Sequence, residues 1–452
     1  MWFAHRLDSS GRKYTCAEYL AVDGPLDTAL FGRAWTLLHA EADILRVRNV
    51  VRDGGGDLWQ VLDPGHGASV PLVDLTDSAD PEADARRWMH ADVRRPLDLA
   101  AGPISAYALL RLSENRYFFY YRIHHVAVDG YGVHLLGRRL AEIYSALAAG
   151  REEVPRVFGP LEELLTEEAA YRASEDFRID RAYWLERFAD RPEPSRVPGR
   201  RDAGTALPDD PPRLRLTAPL PADDLELLRE AAARAGTTWQ VLFTAAVGAY
   251  VHRVTRRSDV VLGLPVSGRR SAASRRVPGM VTNSVPLRLD VTPGDTLARL
   301  AGRLTREVGA ALRHERFRLE DLQRELALGT GAGALLGTIV NLMPYGGPLR
   351  FGDTPATSHN LASGPVLDLF VTVRPEPSGE AMSLVLDGNP ELHDAESLAG
   401  HRERLPAFVR AAVADPDAPV ASLDVLGATE RHRLLVERNA TALDTGGGTV
   451  PE

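Results

Sequence analysis

The sequence predicts a mixed α/β fold (α+β) built as two similar lobes, and three observations support this prediction. Segments with the alternation of a strand and segments with the spacing of a helix follow one another along the chain. The 452 residues exceed what one hydrophobic core usually holds. The second half repeats the order of elements without any short period, which excludes solenoids and propellers.

In the first half, apolar residues at helical spacing predict four helices, and alternation predicts three strands. The helices are expected at 26–43, 133–150, 160–173 and 177–189, and the strands at 44–51, 104–112 and 116–125. Gly150 is the expected end of the second helix, because glycine readily adopts the conformation that stops a helix. The strands and the first two helices are expected to form the core of the first lobe.

The second half contains the same kinds of element after a stretch dense in Pro, Gly and Asp at residues 190–212. Helices are expected at 225–236, 239–254, 296–312 and 396–413, and strands at 213–220, 259–268, 283–291, 336–345, 366–374 and 381–388. We expect a first lobe over residues 1–175, a second lobe over 176–426 and a polar, Gly-rich linker over 427–452.

Composition narrows the classes of function. A formal net charge of -9 without a basic block argues against binding to nucleic acid or to an anionic membrane surface. Cys16 is the only cysteine, so no intrachain disulfide can form. No secretory signal pattern begins the sequence, and the longest apolar stretch, near residues 239–251, is too short to cross a bilayer. The expected partners are small molecules or proteins, and the expected location is the cytoplasm.

The stretch YRIHHVAVDG at residues 121–130 carries the strongest chemical signal. Successive side chains of a strand point to opposite faces, so His124 and His125 cannot both enter one pocket, and adjacent histidines are a poor start for a metal site. Both could be satisfied core groups. Asp129 and Gly130, however, lie where a strand gives way to a helix, and backbone N–H groups at such a junction can face a ligand. A histidine beside this junction is well placed to handle protons.

The segment HHVAVDG resembles the HHxxxDG motif of the condensation domains of nonribosomal peptide synthetases, which are related to chloramphenicol acetyltransferase. Further resemblances follow in the family's order. The matching segments are MWFAHRLD at 1–8, HAEADILRVR at 39–48, RAYWLERFA at 181–189, PGMVTNSVPLR at 278–288 and LLVERNAT at 434–441. The last of these is similar to the linker that joins a condensation domain to a following adenylation domain.

This resemblance implies two acetyltransferase-like lobes that form a V-shaped pseudodimer, with loops from the second lobe bridging to the first and a central tunnel between the lobes. Donor and acceptor peptidyl carrier proteins would each send a 4'-phosphopantetheine arm into the tunnel. The α-amine of the acceptor aminoacyl thioester would attack the donor acyl or peptidyl thioester and form a peptide bond. No cofactor or metal is expected to be bound permanently. The isolated domain is expected to be monomeric, with an adenylation domain adjacent in the same polypeptide.

Each motif residue then receives an expected role. His125 is the expected catalytic group and would accept a hydrogen bond or proton from the attacking amine, while the Gly130 N–H would contact the oxyanion or thioester. The resemblance implies that Asp129 pairs with Arg288 and pins the loop that carries His125, and that His124 supports the fold. Asn283, Tyr131 and Arg6 are candidate tunnel or substrate contacts, although a packing role is also open for each of them and for His134.

Two related activities stay open as alternatives. An ester-forming condensation domain would use a hydroxyl acceptor, and an epimerization domain would need a second acid or base across the tunnel. A heterocyclization domain would carry aspartate at the position of His124, so the histidine there argues against that activity. The segments AEYL, PGMVTN and SGPVLDLFVTVR are similar to a subgroup found in siderophore synthetases such as that for enterobactin. The substrates themselves are not encoded in these motifs.

Overall fold

The computed structural model describes residues 1–8, 10–200, 213–328, 335–343, 349–376 and 381–440. The helices are α1 (Trp2–Arg6), α2 (Thr28–Glu41), α3 (Pro81–Val93), α4 (Gly130–Ala148), α5 (Glu162–Arg172), α6 (Glu175–Arg187), α7 (Ala222–Arg234), α8 (Trp239–Thr255), α9 (Leu297–Arg313), α10 (Leu319–Glu325), α11 (Ala395–Ala414) and α12 (Ala428–Leu435). The strands are β1 (Thr15–Asp23), β2 (Val47–Arg52), β3 (Leu58–Leu62), β4 (Leu72–Asp74), β5 (Ser105–Ser113), β6 (Arg116–His124), β7 (Leu214–Leu220), β8 (Asp259–Val266), β9 (Asn283–Asp290), β10 (Ile339–Leu342), β11 (Leu349–Phe351), β12 (Thr354–Ser363), β13 (Leu369–Pro375) and β14 (Met382–Gly388).

Two six-stranded sheets organise the molecule, and each is covered by helices. The first has the strand order β11-β12-β1-β6-β5-β4, and the second has the order β7-β14-β13-β10-β8-β9. In the first sheet only β4 and β5 run parallel, whereas β10 pairs in parallel with both β8 and β13 in the second. The predicted mixed α/β fold with two lobes is confirmed.

Each sheet has its own hydrophobic core. The first core collects buried side chains of β1, α2, β6 and α4, such as Trp35, Phe119 and Tyr144. The second begins at Trp184 in α6 and includes α8, α9 and α11, with Phe243 and Phe408 fully buried. Separate cores explain why alternation and helical spacing are readable in both halves of the sequence.

The two halves of the chain are nevertheless interleaved. Strands β11 and β12 come from the second half, yet β12 pairs antiparallel with β1 in the first sheet, from Cys16 opposite Ser363 to Val22 opposite Ala356. Phe351 and Ala356 belong to the first core. The sequence analysis did not predict these two strands. They connect the second half of the chain to the first sheet, where loops of the second lobe were expected to reach the first lobe.

The sequence predicted a lobe boundary at residue 175 and a linker from residue 427 onward. The division of the lobes at residue 175 stays a prediction. The expected linker over 427–452 begins with an ordered helix, because α12 lies within it and Glu430 pairs with Arg404 of α11. Residues 441–452 of that linker lie outside the described residues. Among the helices that the structure describes, none is both long and apolar enough to cross a bilayer.

Candidate active site

The site is built where β6 ends and α4 begins, as the sequence predicts. Strand β6 ends at the fully buried His124, and α4 starts at Gly130 with Asp129 as its N-cap. The Asp129 carboxylate accepts a hydrogen bond of 2.8 Å from the Gly132 N–H, which is the usual way a capping aspartate satisfies the first turn of a helix. Residues 125–129 therefore form a short, fixed connection between strand and helix.

His125 lies on this connection as a half-buried residue. Its backbone N–H donates to the Tyr14 carbonyl at 2.7 Å, which ties it to the residue before β1. No side chain among the described residues forms a hydrogen bond with its buried Nδ1 atom. Burial is the main cause that lowers the pKa of His125 from its ordinary value, and the charge of Asp129 acts in the opposite direction. The imidazole is therefore neutral near pH 7 and offers one lone pair as a proton acceptor.

His124, in contrast, is a structural residue in the interior. Its Nδ1 accepts the Val126 N–H at 2.9 Å, which assigns the proton to Nε2. Nε2 then donates to Nδ1 of the buried His5 on α1, at 3.1 Å. Burial, helped by the neighbouring His5 and His125, lowers the pKa of His124 to about 3. Nε2 of His124 thus links β6 to the first helix, and Nδ1 fixes the start of the connection that follows β6.

The lowered pKa of His124 predicts that part of the folding stability is lost in mild acid. Because the folded pKa of about 3 lies below the unfolded value of 6.5, the contribution is complete above pH 6.5 and is lost as the pH falls toward 3. At about 1.4 kcal/mol per pH unit, roughly 2 kcal/mol should be lost by pH 5. In urea unfolding, the wild type should lose this amount between pH 7 and 5 relative to His124→Asn, whose Oδ1 can still accept the Val126 N–H.

The matched control for this measurement is His432→Asn, since His432 is exposed on α12. This variant should follow the wild type at both pH values. If His124→Asn and the wild type lose the same free energy of unfolding over this range, the buried, neutral state of His124 is contradicted.

Asp129 joins the two halves of the chain through a dense set of hydrogen bonds. Oδ2 accepts from the Arg269 guanidinium at 2.7 Å and from the backbone N–H groups of Val281 and Thr282 at 2.9 Å each. The Thr282 hydroxyl adds a bond of 3.0 Å. Burial acts to raise the pKa of Asp129, but the Arg269 charge and these hydrogen bonds outweigh it, so the pKa lies below its ordinary value. The carboxylate is therefore a fully paired anion in the interior.

The expected pair between Asp129 and Arg288 is wrong, because Asp129 pairs with Arg269. Arg288 forms ion pairs with Asp190 and Asp259. Residues 283, 285, 287 and 289 of β9 face the buried side of the strand, and position 288 has the opposite parity. Its side chain therefore points away from the face that holds Asn283. Arg269 was missed because nothing in the local sequence around GRR distinguishes it from the neighbouring Arg270.

Arg269 is held as firmly as its partner. It is 3 % exposed, and its guanidinium also donates to the carbonyls of Ser274 and Gly279 and stacks over the Tyr131 ring at 4.8 Å. Tyr131 in turn donates its hydroxyl to the Arg275 carbonyl at 3.1 Å. Tyr131 thus contributes to the contact between α4 and the loop at residues 267–282, and its predicted substrate contact stays a prediction.

The remaining candidates are dispersed. The Asn283 amide donates to the carbonyls of Glu315 and Phe317 and accepts from the Leu319 N–H, so its hydrogen-bonding groups are engaged by a neighbouring loop. Arg6 is exposed on α1, with its guanidinium 5.5 Å from the centre of the Trp2 ring. Gly130 is exposed at the start of α4, and His134 lies one turn further along that helix.

Two cavities that share no lining residue border the connection between β6 and α4. The larger, of about 160 Å³, is lined by Val126 and Ala127, by apolar side chains such as Leu161 and Met280, and by charged side chains that include Glu167, Glu168, Glu315, Arg316 and Arg318. The smaller, of about 90 Å³, is lined by Gly130 and His134, with groups from both halves of the chain. His125 itself is not among the residues that line either cavity. Within the described part of the chain, no group of three or more His, Cys, Asp or Glu residues is arranged to hold a metal ion.

Comparison with known proteins gives a consistent family. The family model described as Condensation domain matches residues 1–435. The chain is 40 % identical over 423 residues to an isonitrile lipopeptide synthase from Streptomyces coeruleorubidus, covering 94 % of this chain. It is 37 % identical over 447 residues to a dimodular nonribosomal peptide synthase from Bacillus subtilis, and 28 % identical over 446 residues to enterobactin synthase component F from Escherichia coli, covering 98 % of this chain in each case.

The chain spans only 28, 18 and 34 % of the length of these three relatives, respectively. A solved structure matches it almost completely. This is a variant of the starter condensation domain of rhizomide synthetase in complex with C8-CoA, with a TM-score of 0.84 and 36 % identity. The match covers 94 % of this chain and 95 % of the solved one.

Proposed function

Because the chain belongs to the condensation domain family of nonribosomal peptide synthetases, whose members are acyltransferases that form amide bonds, we propose that it joins two carrier-bound thioesters. The donor is an acyl thioester and the acceptor is an aminoacyl thioester, each on the 4'-phosphopantetheine arm of a carrier protein. The observation that carries the proposal is the imidazole of His125, kept neutral by burial on the connection between β6 and α4, with one cavity lined by the adjacent Val126 and Ala127 and a second lined by Gly130.

The main task of the protein in this reaction is to hold the acceptor amine close to the donor thioester. A thioester is already activated, and the α-amine of an aminoacyl thioester is partly neutral near pH 7, so bringing the two together accounts for much of the rate. The amine attacks the donor carbonyl, a tetrahedral intermediate forms, and the donor thiol leaves. The product is an amide on the acceptor carrier and a free thiol on the donor carrier.

His125 and Gly130 are the proposed catalytic groups. The neutral imidazole accepts a hydrogen bond or proton from the attacking amine and offsets the charge that develops on nitrogen. Gly130 is the first residue of α4, and the first N–H groups of a helix have no partner within the helix. The Gly130 N–H can therefore donate to the oxygen of the tetrahedral intermediate. Asp129 and Arg269 hold the connection that carries both groups.

We propose that the favoured donor is an aliphatic acyl group. Part of the larger cavity is lined by Leu161, Leu164, Leu165, Met280 and Val281, which suit an alkyl chain, while charged side chains line the rest: Glu167, Glu168, Glu315, Arg316 and Arg318. The names of two relatives point the same way, since one is a lipopeptide synthase and the other is a starter condensation domain with C8-CoA bound. Because the chain is also similar to enterobactin synthase component F, we propose siderophore synthesis as a second pathway in which the same reaction would serve.

The partners follow from this reaction. Two carrier proteins are required, and we propose that an adenylation domain follows in the same polypeptide, as the motif at residues 434–441 indicates. The much greater length of the three relatives supports a multidomain setting. No resident cofactor is needed, because the phosphopantetheine arms arrive with the carriers.

The reaction is tested by intact-protein mass spectrometry. One carrier is loaded with octanoate, and a panel of acceptor carriers is loaded with single amino acids. We expect the acyl group to move to the acceptor carrier, and the octanoyl donor to react faster than an aminoacyl donor, because apolar side chains line part of the larger cavity. No transfer to any amino acid acceptor would contradict the proposed function.

A matched pair of acceptors separates amide from ester formation. The best amino acid in the panel is compared with its α-hydroxy acid analogue, which differs only in the attacking atom. Amide formation predicts product from the amine alone. Faster reaction of the hydroxy acid would identify an ester-forming domain, and an inverted stereocentre without a new bond would identify an epimerization domain.

A further inference from the structure

Gly364 brings the second half of the chain into contact with His125. It follows directly after β12, the strand that crosses to the sheet of the first lobe. The Gly364 N–H donates to the Thr15 carbonyl at 3.1 Å, and the His125 N–H donates to the Tyr14 carbonyl at 2.7 Å. The carbonyl of Tyr14, just before β1, and that of Thr15, its first residue, therefore hold His125 and Gly364 side by side.

The space between Gly364 and the imidazole is too small for any side chain. A Cβ atom at Gly364 would lie 2.7 Å from Cδ2 of His125, 3.4 Å from Nε2 and 3.8 Å from Cγ. Carbon atoms in contact are normally about 3.5–4.0 Å apart, so the ring would have to move. The same Cβ would also stand beside Nε2, where a reacting amine needs room.

We propose that Gly364 is a positioning residue for His125. By having no side chain it lets the imidazole lie against the backbone of the crossing strand, and it keeps the approach to Nε2 open. This inference rests on the proposed role of His125 in condensation. Since a displacement of about 1 Å in a reacting group can cost about a hundredfold in rate, the contact is close enough to matter for catalysis.

A second explanation for this glycine must be separated from the first. The backbone of Gly364 has a φ of +86°, a conformation that is unfavourable for residues with a side chain. Gly352, in the turn between β11 and β12, provides the matched control. It has a φ of +62°, but the nearest atom to a Cβ there is the methyl carbon of Ala148, at 3.7 Å. Alanine at position 352 therefore brings backbone strain without touching His125.

The test is a double-mutant cycle between positions 364 and 125. Gly364→Ala is expected to lower kcat roughly a hundredfold, with the KM for the acceptor carrier changed less than about threefold. Gly352→Ala should keep kcat within about twofold. In the His125→Ala background, where the ring is absent, Gly364→Ala should cause no further loss of rate, because its effect acts through the imidazole.

The same cycle is measured in thermal stability, which does not depend on activity. Gly364→Ala should lower Tm by more than Gly352→Ala, and this excess should vanish in the His125→Ala background. If Gly364→Ala does not fold alone, recovery of a folded double variant is the expected outcome. An excess that persists without the ring, or equal effects of the two alanine variants, would overturn the inference. If the wild type shows no condensation, the proposed function fails while the Tm cycle still decides the role of Gly364.

Discussion

Replacing His125 with alanine is expected to lower the rate of condensation by between about a hundredfold and ten-thousandfold, the range typical of a positioned proton acceptor. The folded structure should remain, because His125 is a half-buried residue and forms no side-chain hydrogen bond at Nδ1 within the described residues. The measurement is single-turnover transfer from the donor carrier to the acceptor carrier, followed by mass.

Two comparisons make this result specific. His432→Ala, on the exposed face of α12, should keep the wild-type rate. If His125 accepts a proton, the wild-type kcat/KM should fall with decreasing pH at a pKa below 6.5, because burial lowers the pKa of this group. The pH profile of the His125→Ala variant should lack this acidic limb, that is, the fall in kcat/KM at low pH. Equal rates for His125→Ala and the wild type would remove His125 from the mechanism, and an unchanged limb in a slow variant would assign it to another group.

Replacing Asp129 with asparagine is expected to destabilise the protein by about 3 kcal/mol or more. Asp129 is fully buried and Arg269 is 3 % exposed, so the substitution leaves a buried guanidinium without its counter-charge. An asparagine side chain would also place its NH₂ group against N–H donors that the carboxylate accepts from, such as those of Val281 and Thr282, and these donors would lose their acceptor. Because Asp129 caps the helix next to His125, the condensation rate should fall with the stability. Urea unfolding at pH 7 and the single-turnover assay measure both effects.

The corrected pairing supplies the control for this prediction. Arg288→Gln removes ion pairs to Asp190 and Asp259, whose side chains are 60 % and 42 % exposed, so its effect should be clearly smaller. Arg269→Gln should resemble Asp129→Asn, and the double variant should cost less than the sum of the two. If Arg288→Gln destabilises as much as Arg269→Gln, the assignment of Arg269 as the partner of Asp129 is contradicted.

Much of the fold was readable from the sequence because its signals are local. Strand β6 and helix α4 follow from an aromatic, apolar run and a helix with one apolar face, and the junction between them falls at Asp129 as predicted. The conformation of Gly150, with a φ of +76°, fits its predicted place at the end of that helix. These features depend on residues within a few positions of one another.

The missed features depend on distant partners instead. Strand β12 reads TPATSHNLAS, which has neither clear alternation nor many β-branched apolar residues, and its pairing with β1 holds it in place. The partner of Asp129 was misassigned for the same reason, since Arg269 lies in the loop after β8 and Arg288 lies in β9, a difference in place that the local sequence pattern does not show. The motif at residues 278–288 suggested Arg288 as the partner of Asp129. Only the pairing register of β9 shows that the Arg288 side chain lies on the opposite face of the strand from Asn283.

The interleaving of β11 and β12 with the first sheet has a consequence for how such domains can be recombined. A breakpoint in the region of residues 190–212 would pair β1 with a foreign strand from another parent, or leave its edge open to aggregation. Hybrid synthetases should therefore tolerate junctions placed outside both lobes better than junctions between them. The whole domain should therefore be exchanged as one unit.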